Sequence, residues 1–223
     1  MMKDIFIDYW THKKFRIEAS NHVSKKVLTF YPIDKKTLVG SMVHEFWFNE
    51  IKNSSSVLDF GAGDLLFKEF VLNKGFEWVY KTLDVNTIFD YDYHNIDEIK
   101  ETFDCICAFE VIEHISAEEC KELLYKFYNL LNKNGKLILT TPNIHHINHF
   151  WKTDYTHIRP YPYEDLYALL KEVNFSEITI YRIEQKKRNS RIYDKFKYII
   201  KRILFHFLEV DYTTNICAIA QKL

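Results

Sequence analysis

The stretch Asp59-Phe60-Gly61-Ala62-Gly63 sits directly behind the apolar run Ser56-Val57-Leu58 and directly ahead of a helical pattern that begins at Asp64. A strand that turns through glycines into a helix gathers backbone N–H groups at one point, where a small anionic group can be held. A dinucleotide fingerprint GxGxxG would need glycine at position 66, and the chain has Leu66. That weakens a pyrophosphate reading and disfavours a nicotinamide oxidoreductase. The next strand pattern, Lys81-Thr82-Leu83-Asp84-Val85, ends on a carboxylate about twenty residues on, where an α/β nucleotide site meets ribose hydroxyls. The pattern suits a nucleoside without phosphates.

These two segments resemble the first two motifs of class I S-adenosylmethionine (SAM) dependent methyltransferases. The resemblance extends to Phe103-Asp-Cys-Ile-Cys-Ala-Phe-Glu-Val-Ile-Glu-His-Ile115 and Gly135-Lys-Leu-Ile-Leu-Thr-Thr-Pro-Asn143, similar to that family's fourth and fifth strands. It covers roughly residues 55 to 183. It implies an α/β fold: a Rossmann-like αβα sandwich with a mostly parallel seven-stranded sheet, preceded here by N-terminal helices.

Composition agrees with one enzyme domain. At 223 residues and 47% hydrophobic, the chain can bury a full core. A net charge of −1 gives no general attraction to nucleic acid or anionic membrane. Cys105, Cys107, Cys120 and Cys217 form no CxxC pair, so neither zinc ligation nor a disulfide framework is expected of them. The N-terminus lacks the apolar core of a signal peptide and no run has the length of a membrane span, so a cytoplasmic location is expected.

Along the chain, residues 1–53 read as a helical cap segment, with Leu38, Met42, Phe46 and Ile51 at near-helical spacing. Residues 54–223 read as the SAM-binding domain. Its strands are expected over Val57 to Phe60, Trp78 to Val85, Phe103 to Val111, Lys136 to Thr141, Glu177 to Ile183 and Asn215 to Gln221. Helices are expected from Asp64 to Asn73, from Ala117 to Asn132 behind a Ser116/Glu119 capping box, and from Pro162 to Glu172. Only Asn86 to Tyr93 follows the second strand, too short for the helix and strand usual there in the family.

The resemblance assigns Gly61 and Gly63 to close backbone approach to the cofactor's methionine portion, Asp59 to orienting that turn and to the cofactor's ammonium, and Asp84 to the ribose diol. Asn95 falls where an amide would meet the adenine amino group. Phe109 and Glu110, ending the fourth strand, are expected beside the cofactor because ligands of open α/β sheets bind at that edge. The string Glu110-Val-Ile-Glu113-His114 resembles the metal-binding motif of small-RNA 3′-end 2′-O-methyltransferases and some quinone-biosynthesis O-methyltransferases, in which a later histidine completes the site; His157 takes that place here. Glu110, Glu113, His114 and His157 are therefore candidate ligands for Mg²⁺, Mn²⁺ or Zn²⁺, and a hydrogen-bonded loop without an ion is the alternative.

His145, His146, His149 and His157 follow the fifth strand, where substrate loops of this fold enter. An imidazole there can take a hydroxyl proton; His157, Asp154 and His145 are the catalytic candidates. The stretch Asp154-Tyr-Thr-His-Ile-Arg-Pro160 resembles a segment of bacterial surface-glycan methyltransferases, which points to a sugar hydroxyl and polysaccharide biosynthesis. Between Lys186 and Arg202 stand eight basic residues and one acid, with Ile192, Phe196, Ile199, Ile203 and Phe207 at helical spacing. This basic helical insertion near 186–208 reads either as a solvated face or as a docking surface for a nucleotide-linked or lipid-linked sugar, RNA or an anionic membrane.

Together these features point to methyl transfer from SAM to a hydroxyl of a small-molecule or glycan acceptor. The alternatives are a metal-assisted enzyme acting on RNA ribose or a quinone precursor, and a SAM-binding protein without catalysis.

Overall fold

The computed structural model describes residues 9–146, 152, 154–185, 199–200, 203, 207 and 211–223. In chain order they form α1 (Tyr9–Glu18), β1 (Val23–Phe30), α2 (Met42–Ile51), β2 (Ser56–Phe60), α3 (Leu66–Asn73), β3 (Val79–Leu83), β4 (Phe103–Phe109), α4 (Ala117–Leu130), β5 (Leu131–Pro142), α5 (Tyr163–Glu172), β6 (Ser176–Gln185) and β7 (Asn215–Gln221). Seven strands make one sheet in the order β1-β6-β7-β5-β4-β2-β3. Only β7 runs antiparallel to its neighbours.

Alternation along the central strands sorts their side chains onto two faces. Val57, Cys105, Cys107, Ile138 and Cys217 face one way and pack with Val43, Trp47 and Ile51 of α2 and Phe70 and Val71 of α3. Leu58, Ile106, Leu137, Leu139 and Ile216 face the other way, against Leu124 and Phe127 of α4 and Leu166 and Leu170 of α5. Both faces are covered, so these strands read as nearly unbroken apolar runs. Each large side chain removed from water contributes about 1.5–3 kcal/mol.

Local chemistry sets the helix ends. The Ser116 hydroxyl accepts the Glu119 amide at 3.2 Å while the Glu119 carboxylate accepts the Ser116 amide at 2.8 Å, the reciprocal cap expected for α4. Gly75, at φ 82°, follows α3 in a conformation that glycine adopts without strain.

The N-terminal segment differs from expectation. Helices α1 and α2 are present, but Val23–Phe30 is a strand, paired in parallel with β6 at the sheet's outer edge. It supplies the seventh strand. After β3 the chain makes a single parallel bridge, Leu83 to Tyr93, and a 3-10 turn at Ile96–Glu98 before β4, which agrees with the shortness of that connection.

The expected helix near 186–208 falls largely outside the described residues, as does His149. No helix among the described residues is long and apolar enough to cross a membrane.

Candidate active site

From β2 the chain passes outward to β3, and from β4 it passes the other way to β5, so a crevice opens between the C-terminal ends of β2 and β4. Ligands of open α/β sheets bind at such a switch point. Gly61 and Gly63 stand there with φ of 72° and 53°, the left-handed region that favours glycine. A Cβ on Gly61 would lie 2.6 Å from Cγ2 of Val111, so Val111 packs directly on the turn. A Cβ on Gly63 would meet nothing nearer than 3.9 Å.

The glycine turn and the tip of β3 meet. The Gly63 amide donates to the Asp84 carboxylate at 2.9 Å, and the Gly61 amide donates to the Leu83 carbonyl at 2.8 Å. Asp84 also accepts from the Asn86 backbone and side-chain amides. Tyr91 donates its hydroxyl to the Gly63 carbonyl at 2.6 Å, a tie that nothing in the sequence pattern announced. Beside these groups lies a hollow of about 540 Å³ lined by Gly61, Asp84, Val85, Ile96, Val111 and Glu110, among others. Apolar faces for a base, a carboxylate for a diol and open backbone over the turn fit an adenosyl group.

Asp59 does not reach this hollow. It is buried in β2 and accepts the Tyr80 hydroxyl at 2.9 Å, and its burial pushes its pKa up to about 7. Asn95 is exposed and spends its side-chain oxygen on the Asp97 amide, capping the 3-10 turn; Ile96, the next residue, faces the hollow instead.

Phe109 lines a second hollow of about 420 Å³, with Phe30, His44, Trp47, Phe67 and Asn215 among its walls. Glu110 borders both hollows. Its backbone takes φ 53°, which ends β4 and turns the side chain away from the sheet's alternation. The Glu110 carboxylate accepts the Asn215 amide at 2.7 Å. Solvent reaches it through the hollows, yet enclosure by protein raises its pKa above the usual carboxylate range.

Glu113, His114 and His157 come together, each offering a ligand atom within 4.8 Å of the others. Glu113 is 1% exposed; burial first, then the Glu110 charge, pushes it up to about 8. Its Oε2 accepts the Thr141 hydroxyl at 3.1 Å, and its Oε1 has no hydrogen-bond partner among the described residues. His114 Nδ1 lies 3.2 Å from the Thr156 carbonyl, which can only accept, so Nδ1 carries the hydrogen and Nε2 presents its lone pair. Glu110 lies outside this group of three.

Asp154 is exposed and accepts both the amide and the hydroxyl of Thr156, which draw its pKa down. It shapes the loop that carries His157. His145 stands apart, 3.4 Å from Glu164 of α5, whose carboxylate raises its pKa. The structure thus unites His157 with Glu113 and His114, and leaves His145 elsewhere. Two further residues of the second hollow, His44 and Trp47, read along the chain only as part of an apolar helix.

A family model described as a methyltransferase domain matches residues 34–180. No curated protein matches the chain. Among solved structures, a SAM dependent methyltransferase from Archaeoglobus fulgidus superposes with a TM-score of 0.61 at 18% identity, covering 80% of this chain and 94% of that one. An O-methyltransferase family protein from Burkholderia thailandensis gives 0.54 at 10% identity, over 81% of this chain and 56% of the other. Phosphoethanolamine N-methyltransferase 2 from Haemonchus contortus, in complex with SAM, gives 0.54 at 14% identity, over 81% and 51%. The family match takes in more than half of the chain, from before the glycine turn to within β6, and on that ground the chain belongs to the methyltransferase domain family, with the fold of class I SAM-dependent enzymes.

Proposed function

We propose that this protein transfers a methyl group from SAM to a hydroxyl of a small acceptor. The observation that carries the reading is the meeting of the Gly63 amide with the Asp84 carboxylate beside an open hollow that ends at Glu110. SAM supplies a methyl group already activated by its sulfonium charge. The chain's own work is to hold the acceptor oxygen in line with that methyl. Asp84 would hold the ribose, Gly61 and Gly63 would let the cofactor approach the backbone, and Glu110 would stand where the two hollows join. Parallel calorimetry with SAM and NAD tests this. Binding of SAM without NAD is expected, and NAD binding in preference to SAM would overturn it.

A second reading adds a divalent cation at Glu113, His114 and His157. The buried, unpartnered Oε1 of Glu113 and the exposed lone pair of His114 favour it. Two imidazoles and one carboxylate suit Zn²⁺ or Mn²⁺, and a bound cation would lower the pKa of a coordinated hydroxyl. Calorimetric titration with Zn²⁺ and Mn²⁺ should give one site, lost in Glu113→Gln. Absence of binding to the unaltered protein at pH 8, or retention in the variant, would sink this reading.

A further inference from the structure

The second hollow has a composition of its own. Trp47 and Phe109 stack at 4.1 Å with planes 21° apart, and Phe67 stands edge-on to both, at 5.8 Å and 5.1 Å. His44 is edge-on to Trp47 at 5.5 Å. Four rings hold one another in place, a wall with little freedom to lose on binding. Phe30, Pro32 and Ile33, at and just after the end of β1, also line it, and the Phe30 ring lies 5.5 Å from His44. The added edge strand therefore builds the chamber.

Its polar groups are His44, Asp64, Glu110, Thr140, Gln185 and Asn215, set against eight apolar lining residues. His44 Nδ1 accepts the Ser41 amide at 2.9 Å, so the neutral ring carries its hydrogen on Nε2. Glu110 stands at the junction with the cofactor hollow. No lysine or arginine lines the chamber among the described residues. Among the described residues a phosphate or carboxylate would find no cation in its lining.

We infer that this chamber is the acceptor subsite and that it takes a flat apolar ring bearing a hydroxyl, a phenol-type acceptor, with the ring against the aromatic wall and the hydroxyl towards Glu110. The inference rests on the methyltransferase reading and names the acceptor class for the same site. A glycan-type acceptor, which the Asp154–Pro160 resemblance favours, carries hydroxyls around most of its rim. Those turned to Phe30, Trp47, Phe67 and Phe109 would find no partner. An aromatic ring also gains from edge-to-face and stacked contacts with such walls.

The test is ligand-detected NMR on the full chain saturated with S-adenosylhomocysteine, with 4-methylphenol, 4-methylcyclohexanol and methyl glucoside as probes. We expect 4-methylphenol to bind about tenfold more tightly than methyl glucoside, the factor expected of aromatic contacts, without displacing S-adenosylhomocysteine. Phe30→Ala at the rim and Trp47→Leu in the wall should each weaken that binding at least about threefold. Both should leave S-adenosylhomocysteine affinity unchanged. Phe30 is only partly buried, so its variant keeps the test decisive if Trp47→Leu fails to fold. Equal or tighter binding of methyl glucoside, displacement of the cofactor product by 4-methylphenol, or indifference to Phe30→Ala would each overturn the assignment. Failure of S-adenosylhomocysteine itself to bind would strike the methyltransferase reading instead, and shows separately from phenol binding.

Discussion

Tyr80 donates its phenolic hydrogen to the Asp59 carboxylate at 2.9 Å across neighbouring strands β2 and β3, with both residues buried. The bond lowers the pKa of Asp59, and burial outweighs it, leaving the acid near 7. An acid whose folded pKa lies above its unfolded value stabilises the fold fully below the unfolded value. That contribution is lost as pH rises through the folded one. Stability should therefore fall by about 2–4 kcal/mol between pH 4 and 7 on account of Asp59. Glu113, raised to about 8, adds to the decline up to that pH. Asp59→Asn keeps a group for Tyr80 and removes the charge. Urea unfolding at pH 5 and pH 8 should show a shallower decline in this variant, and an unchanged slope would refute the account.

Asp84 holds three donors, the Gly63 amide and both amides of Asn86. Asp84→Ala should weaken SAM binding by roughly 10–100-fold, the loss expected for hydrogen bonds to a charged acceptor. Asp84→Asn, which keeps one acceptor oxygen, should fall between. Calorimetry reads both. Unchanged affinity in the alanine variant would remove Asp84 from the ribose site.

Gly61→Ala meets two separate obstacles, the φ of 72° and Cγ2 of Val111 at 2.6 Å. A left-handed alanine costs about 1–2 kcal/mol, and the clash adds to it. Val111→Ala combined with Gly61→Ala should recover the clash and leave the backbone cost. Chemical denaturation of all four members of the cycle measures the coupling. Strict additivity would show that Val111 does not press on the turn.

On the opposite face, Lys121, 9% exposed, pairs with Glu172 at 3.0 Å, and Glu172 also meets His12 of α1 at 2.5 Å. Arg16 of α1 pairs with Asp165 at 3.0 Å. Glu172→Gln removes the carboxylate charge facing the buried Lys121 ammonium and should cost about 2–4 kcal/mol. Amide exchange in α1 should quicken more than in α4. Equal change in both helices would show that Glu172 does not hold α1 down.

The central fold was legible because β2, β4, β5 and β7 are covered on both faces and so appear as apolar runs between turn residues. α4 announced itself through its Ser116 and Glu119 cap. β1 hid because it lies at an edge, pairs with one neighbour, changes register between Val23 and Val27 and fully buries only Leu28. Of the expected stripe Leu38, Met42, Phe46 and Ile51, only Ile51 belongs to the buried side of α2, which is Val43, His44, Trp47 and Ile51; Met42 and Phe46 lie one residue off it. At the site, Gly61, Gly63 and Asp84 could be read because their spacing follows from the path of the chain. The aromatic chamber could not. It depends on α2, α3, β1 and β4 converging, and no local pattern records that.

β7 is seven residues long and lies between β5 and β6, antiparallel to both. The family-matched span ends at residue 180 and omits it. A polypeptide trimmed to that span would hold β5-β4-β2-β3 on one side and a stub of β6 on the other, with no ladder joining them. Asn215, the first residue of β7, would go with it, and so would the amide that steadies Glu110. The last strand is thus a keystone twice over, joining the two parts of the sheet and steadying the Glu110 carboxylate.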